Sequence, residues 1–295
     1  MATQQKTLQS QELGLSEPGF RQGLSTFRAQ IKKQFIVMKR YPIAFITSFA
    51  MVFIILMVFI LAATLFTPKG AGDDVGIKSG VIAGTMFYGF CLFMFTSDTF
   101  WTIGNSMRME QYQGTLESLF LTPANKFTDL ASRITIIVFW TGLNTVLALL
   151  LIDYIIADIP FANFETAIIV LLFTLLGTFG IGFFMAGLGI RLKESSELLA
   201  NMLQFFVLIL CAMFFPFSVL PEPVLVISRL IPLSYGVDLF RSTMMGFPSG
   251  YPELASTQTE WVIVVAFGII MPIAGFLFYR WSVYRQRAKS GISDY

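Results

Sequence analysis

Histidine does not occur anywhere in this 295-residue chain. Its absence removes the commonest general base and the commonest metal ligand from any mechanism. Charge is scarce too: Asp, Glu, Lys and Arg make up 13% of the residues, against about 25% in soluble domains. The two cysteines, Cys91 and Cys211, both sit within apolar runs. They read as small core hydrophobes rather than as a disulfide or a metal site, and no redox compartment follows from them. A Gly-x-x-x-x-Gly-Lys-Ser/Thr string is missing; the nearest stretch, Gly72 to Ser79, puts Ile77 between glycine and lysine. Without a phosphate cradle the chain does not hydrolyse ATP itself. Residues 1–19 are polar and lack an apolar h-region, so no cleavable signal peptide is expected and the first span must target the chain. One acid inside a span and no metal-ligand cluster leave a membrane enzyme little to work with, and no catalytic or metal-binding residue is expected.

What the chain has is apolar length. It is 55% hydrophobic with a mean hydropathy of +0.72, and it belongs in lipid. Six uncharged or nearly uncharged runs, about 43–66, 81–103, 134–152, 166–190, 198–221 and 261–279, are each long enough to cross once. The expected fold is therefore an all-α polytopic membrane protein with six transmembrane helices in a domain over 42–285. Residues 1–19 and 286–295 read as cytosolic tails. Between 20 and 41, Phe20, Leu24, Phe27, Ile31, Phe35 and Met38 recur at steps of three and four with Arg21, Arg28, Lys32 and Lys39 on the other faces. This predicts an amphipathic interfacial helix with its basic side towards anionic head groups.

The distribution of positive charge orients the chain. With the amino terminus in the cytosol, sixteen of the twenty Lys and Arg fall on inner segments, and only Lys69, Lys78, Arg229 and Arg241 fall outside. The positive-inside rule then puts both termini in the cytoplasm and the protein in the cell membrane. It also puts Glu110 to Pro123, between the second and third spans, on the cytosolic side. In that stretch Leu116, Leu119 and Phe120 form one apolar helix edge, Glu117 turns away, Gly114 and Thr115 can open the helix, and Pro123 closes it. So short a helix needs a surface to lie against.

Glu-x-x-x-Gly-Thr-Leu-Glu-x-Leu-x-x-Thr-Pro, from Glu110 to Pro123, resembles the cytosolic loop of the permease subunit of ABC-2 type exporters. The resemblance implies a coupling helix that sits on a separate ABC ATPase subunit, with ATP and Mg held by that partner and no cofactor in this chain. Family members often have charged residues between the Glu and the Gly-Thr-Leu-Glu. Here Gln111 and Tyr112 stand there, which weakens any particular ion pair with the ATPase but not the docking. The connecting helix before the first span is likewise similar, and anchoring at the interface and a share in ATPase docking both remain open for it.

A second motif lies between the fifth and sixth spans. Pro216, Pro221 and Pro223 should bend or stop the fifth helix near the outer surface. Val224 to Leu230 and Ser234 to Met245 are apolar, amphipathic and too short to cross, which predicts two short re-entrant helices split by Pro232. Phe215 to Pro221, Pro232 to Tyr235, and Asp238 with Arg241 are similar to the Phe-Pro, Pro-Leu-x-Tyr and Asp-x-x-Arg pattern of the same exporters. Asp238 and Arg241, at i and i+3, are expected to form a structural salt bridge.

Polar residues inside the spans are few. Asp98 must face a partner, water or the transport path. With Ser97, Trp101 and Asn105 it is a candidate for the inner gate, and a helix-end acid reached by interfacial water is the other reading. Asn201 and Gln204 lie at i and i+3 on the fifth span; the resemblance puts spans two and five beside a dimer axis. These two amides either touch substrate or hydrogen-bond between helices. In the fourth span Thr178, Gly182 and Ala186 make a small-residue ridge, with Gly177, Gly180, Gly187 and Gly189 close by.

The family implies two permease copies, a homodimer or a heterodimer with a similar permease, enclosing a path switched by the ATPases. The lipid bilayer is a partner and nucleic acid is not. With 32 Phe and 14 Met, the path suits a hydrophobic or amphipathic drug, antibiotic or lipid-like molecule. A polysaccharide or lipid-linked glycan is the alternative cargo, since aromatic rings also stack on sugars. An ATP-independent six-span channel or scaffold is the alternative from another class, although a pore should show rings of charge or a filter loop.

Overall fold

The computed structural model describes residues 41–66, 75–104, 114, 126–155, 159–192 and 196–289, together with 25, 28, 29, 31, 32, 35, 36, 39 and 40. Helices dominate, and no strand occurs among the described residues. In chain order they are α1 (Pro42–Phe66), α2 (Val75–Thr99) continued by a π-helical turn (Phe100–Gly104), α3 (Lys126–Ile155), α4 (Phe164–Leu192), α5 (Ser196–Leu210), α6 (Glu222–Leu230), α7 (Pro232–Met244) and α8 (Thr257–Lys289). The described residues between 25 and 40 are helical, and Phe35 packs its ring 5.0 Å from that of Phe139 on α3.

Among the described residues, Arg133–Leu151, Phe164–Gly189 and Thr257–Arg285 are long and apolar enough to cross a membrane. Together α6 and α7, bent by 97° at Ile231, pass the same test as a broken span or re-entrant loop. The bend has a local cause: Pro232 opens α7, and Ile231 before it is extended at φ −95° and ψ 112°. All residues of α7 from Leu233 to Met244 are buried, whereas α6 buries only Ser228.

The tightest pairing joins α4 to α8, and glycine makes it possible. A Cβ at Gly177 would strike the ring of Phe267, one at Gly180 the backbone at Met271 and Pro272, and one at Gly275 the carbonyl of Gly180. On α8, Gly268 likewise faces the backbone of Phe173. Lipid offers helices no hydrophobic drive to associate, so close backbone approach between small residues carries the packing. The Thr178–Gly182–Ala186 ridge points elsewhere: Gly182 meets Thr99 and Ile103 at the end of α2, and Thr178 and Ala186 are fully buried.

The fifth helix is shorter than its apolar run. It stops at Leu210, six residues before Pro216, after 15 residues or about 22 Å. Ala212 then takes a positive φ of 47°. The N–H groups of Cys211, Ala212 and Met213 fold back on the carbonyls of Val207, Ile209 and Leu208, so the helix ends before its prolines.

Candidate functional site

At the end of α2 that leads into residues 105–125, the polar candidates come together around the π-helical turn. This turn sends Phe100 and Ile103 fully inside and leaves Trp101 41% exposed. The indole N–H of Trp101 donates to Oε1 of Gln204 on α5 across 2.9 Å. One turn earlier, the Thr141 hydroxyl on α3 donates to Oδ2 of Asp98. Ser97 and Asp98 are half-buried. Asp98 thus has a specific hydroxyl partner on a neighbouring helix, as an intramembrane acid requires. Asn201 is half-buried one turn before Gln204 and takes no part in these bonds.

The last two turns of α2 are consequently held on three sides. Asp98 ties them to α3, Trp101 ties them to α5, and Thr99 with Ile103 fills the notch at Gly182 on α4. Immediately beyond Gly104 the chain enters the stretch 105–125. Of that stretch only Gly114 is described, as an exposed turn residue with φ 65° and nothing within 4 Å of a would-be Cβ. A positive φ is the conformation glycine tolerates best. Asn105, Glu110, Thr115, Leu116, Glu117, Leu119, Phe120 and Pro123 lie outside the described residues.

At the opposite end, where α8 begins, the structure corrects the expected Asp238–Arg241 salt bridge. The two side chains diverge. Arg241, 1% exposed, donates through Nη2 to the carbonyls of Ala212 (2.7 Å) and Met213 (2.8 Å) and through Nη1 to that of Phe215 (3.3 Å). These carbonyls belong to the turn beyond α5; the last carbonyls of α5 itself, Val207, Leu208 and Ile209, accept from the N–H groups of Cys211, Met213 and Ala212. The donor a continuing helix would give Ala212 is residue 216, a proline without an N–H, and the guanidinium supplies one there instead. The planar fork suits this task because it offers several donors in fixed geometry. Gly89 on α2 lies against the same group, and a Cβ there would run into both the guanidinium and the Met213 carbonyl.

Asp238 turns the other way. Its Oδ2 accepts from the backbone N–H groups of Glu253 and Leu254, both at 2.7 Å, fixing the loop between α7 and α8. Glu253 in turn accepts from the Ser218 N–H at 2.6 Å, and the Tyr251 hydroxyl lies 2.9 Å from that of Thr85 on α2. Burial pushes the Glu253 carboxyl above its ordinary range, with the Ser218 N–H pulling the other way. It pushes the Tyr251 hydroxyl up to about 12. Glu260, the first-turn acid of α8, is fully buried and accepts from the Ala255 N–H at 3.1 Å. Thr141, Glu253 and Glu260 escaped the sequence reading. Glu260 directly precedes the sixth apolar run, 261–279, and nothing at a run's edge tells a buried acid from a solvated one.

Apolar helices of spanning length, glycine-mediated helix contacts and a sharply bent, largely buried apolar helix pair define an integral, multi-pass helical membrane protein. Residues 25–245 match the family model described as ABC-2 type transporter, and the chain belongs to that family. Its membrane domain is the permease of an ABC exporter, which has no ATPase site of its own and implies an ABC ATPase partner. Among curated proteins, none matches this chain.

Proposed function

We propose that this chain is the six-span permease subunit of an ATP-driven exporter in the cell membrane, with both termini cytoplasmic. In this reading α1 to α5 and α8 cross the bilayer, α6 and α7 re-enter from the outer side, and two copies enclose the path. A separate ATPase subunit binds ATP and Mg and docks on the helix around Gly114, Leu116, Leu119 and Phe120. The observation that carries the reading is the three-sided hold on the end of α2, directly before that loop. Displacement of the loop has to pass through Gly104 into a turn bonded to α3 and α5 and wedged into α4. A rigid local connection of this kind is what transmits a push into a rearrangement of helices.

The cargo is proposed to be a hydrophobic or amphipathic compound moved from the cytoplasm or inner leaflet. Trp101 is exposed beside Gln204, and Met202 and Phe205 on α5 are 49% and 63% exposed. A second copy facing that side would line the path with aromatic and thioether groups around a few amides, which suits an amphipathic molecule.

The test is Leu116→Asp with the ATPase partner co-expressed. A charge on the apolar edge should abolish co-purification of the ATPase while leaving membrane insertion intact. Undiminished co-purification, or ATP-independent movement of cargo by the purified chain, would refute the proposal.

A further inference from the structure

Asp238 and Glu260 bring two carboxyl groups together in the dry interior, on α7 and on the first turn of α8. Both residues are 0% exposed, and their carboxyl groups converge on three successive N–H groups of the loop between α7 and α8, those of Glu253, Leu254 and Ala255. On each, one oxygen is already committed to the backbone of the intervening loop: Asp238 Oδ2 to Glu253 and Leu254, Glu260 Oε1 to Ala255. The remaining oxygens, Asp238 Oδ1 and Glu260 Oε2, are buried with no donor. Two acceptor-only groups cannot satisfy one another, and an unpaired buried oxygen is costly. A carboxylic acid and a carboxylate can, because the acid supplies the missing O–H.

Charge leads to the same arrangement. The neighbouring positive group is Arg241, one turn along α7, which acts on Asp238 through space. From the loop, Glu253 adds a further negative group that acts on Asp238, and on α7 the neutral hydroxyl of Tyr235 is close enough to feel Glu260. Tyr88 of α2, its hydroxyl donating to the Pro160 carbonyl, packs on Phe240; Cys211 beyond α5 and Tyr251 of the loop face the Arg241 side; Thr174 of α4 meets Gly236; none of these adds a fixed charge, and the exposed Arg229 of α6 acts on Tyr235. Two carboxylates would leave the buried set overcharged against one guanidinium. One proton brings the fully buried trio of Asp238, Glu260 and Arg241 to neutrality, and the half-buried Glu253 only strengthens the pull on that proton.

We propose that Asp238 and Glu260 form a proton-binding site, holding one shared proton at neutral pH and pinning the re-entrant helix α7 to the start of α8. Alkaline solution removes that proton to external water, leaving two adjacent carboxylates that repel, and the pin opens. The Asp238 contacts to Glu253 and Leu254 make the loop between α7 and α8 the segment released. This site concerns the chain alone and holds whether or not an ATPase docks on the opposite face.

The experiment is infrared spectroscopy on the purified full chain in lipid nanodiscs, titrated from neutral to alkaline pH, with thermal unfolding recorded on the same samples. The wild type should show the carbonyl stretch of a protonated carboxyl at neutral pH, and this band should disappear on alkalinisation. Glu260→Gln and Asp238→Asn should each lose the band, while Asp98→Asn and Glu253→Gln keep it. The folded pair holds its proton to higher pH than the unfolded chain does, so wild-type thermal stability should fall as pH rises. Glu260→Gln, which imitates the protonated side chain, should remove most of that fall. A wild type without the band at neutral pH, or a band that survives in both Glu260→Gln and Asp238→Asn, would overturn the proposal. Should Asp238→Asn fail to fold, Glu260→Gln alone decides: a retained band, or an unchanged pH dependence of unfolding, overturns it.

Discussion

The guanidinium of Arg241 on α7 holds the carbonyls of Ala212 and Met213 at 2.7 and 2.8 Å, taking over backbone acceptors that lie directly beyond the end of α5. The turn beyond a helix end must also find donors for its carbonyls, and in a dry environment each one left unpaired costs several kcal/mol. One side chain 29 residues away along the sequence from Ala212 resolves this. Arg241→Met should therefore destabilise the protein by about 3–5 kcal/mol, since it removes the buried positive charge near Asp238 and the donor to the carbonyls of Met213 and Phe215, while Ala212 keeps the Phe215 N–H. Arg241→Lys keeps the charge without the fork and should recover only part of the loss. Thermal unfolding in detergent measures both.

Gly89 and Gly142 make opposite predictions for the same substitution. A Cβ at Gly89 meets the Arg241 guanidinium and a backbone carbonyl, whereas at Gly142 the nearest atom is Cζ of Phe95 at 3.9 Å. Gly89→Ala should cost about 1–3 kcal/mol through overpacking. Gly142→Ala should be neutral or stabilising by up to about 1 kcal/mol, because alanine is the better helix former. Unfolding midpoints of the two variants, measured side by side, check the contrast.

The Trp101–Gln204 hydrogen bond should carry part of the coupling between ATP hydrolysis and transport. Trp101→Phe and Gln204→Leu are each expected to lower ATP-driven transport about 5-fold, equivalent to about 1 kcal/mol. The double variant should lose little more than either single one, as two partners in one bond do. ATPase activity of the reconstituted complex should persist in all three. Additive losses would show that the two residues act separately.

Asp98→Asn keeps an oxygen to accept from Thr141 and should fold and insert like the wild type. If the carboxylate serves the path, transport falls while ATP hydrolysis continues. Unchanged rates of both would leave Asp98 a structural partner of α3 and no more.

The helical class, the apolar runs, the family and the two motif regions were legible in the residues because they depend on local chemistry. Apolar length sets a membrane helix, Pro232 sets the break between α6 and α7, and the string from Glu110 to Pro123 marks the family. The family model over residues 25–245 supports that reading. The pairing of Trp101 with Gln204, 103 residues apart, was not legible, although both had been singled out separately. Sequence spacing says which face of a helix a side chain occupies, but not which other helix that face meets.

Asp238 and Arg241 illustrate the division most clearly. At i and i+3 they look like a local ion pair, and that much is all their spacing can suggest. Only the folded chain decides that Arg241 turns towards the end of α5 and Asp238 towards the loop before α8. The physical reason is that buried carbonyls and N–H groups must find partners somewhere, and which ones are buried depends on how helices distant in sequence pack. Composition and pattern determined that this chain lives in a membrane as apolar helices. Packing determined where its few charges went, because in a dry interior each charge goes where the backbone has been left unsatisfied.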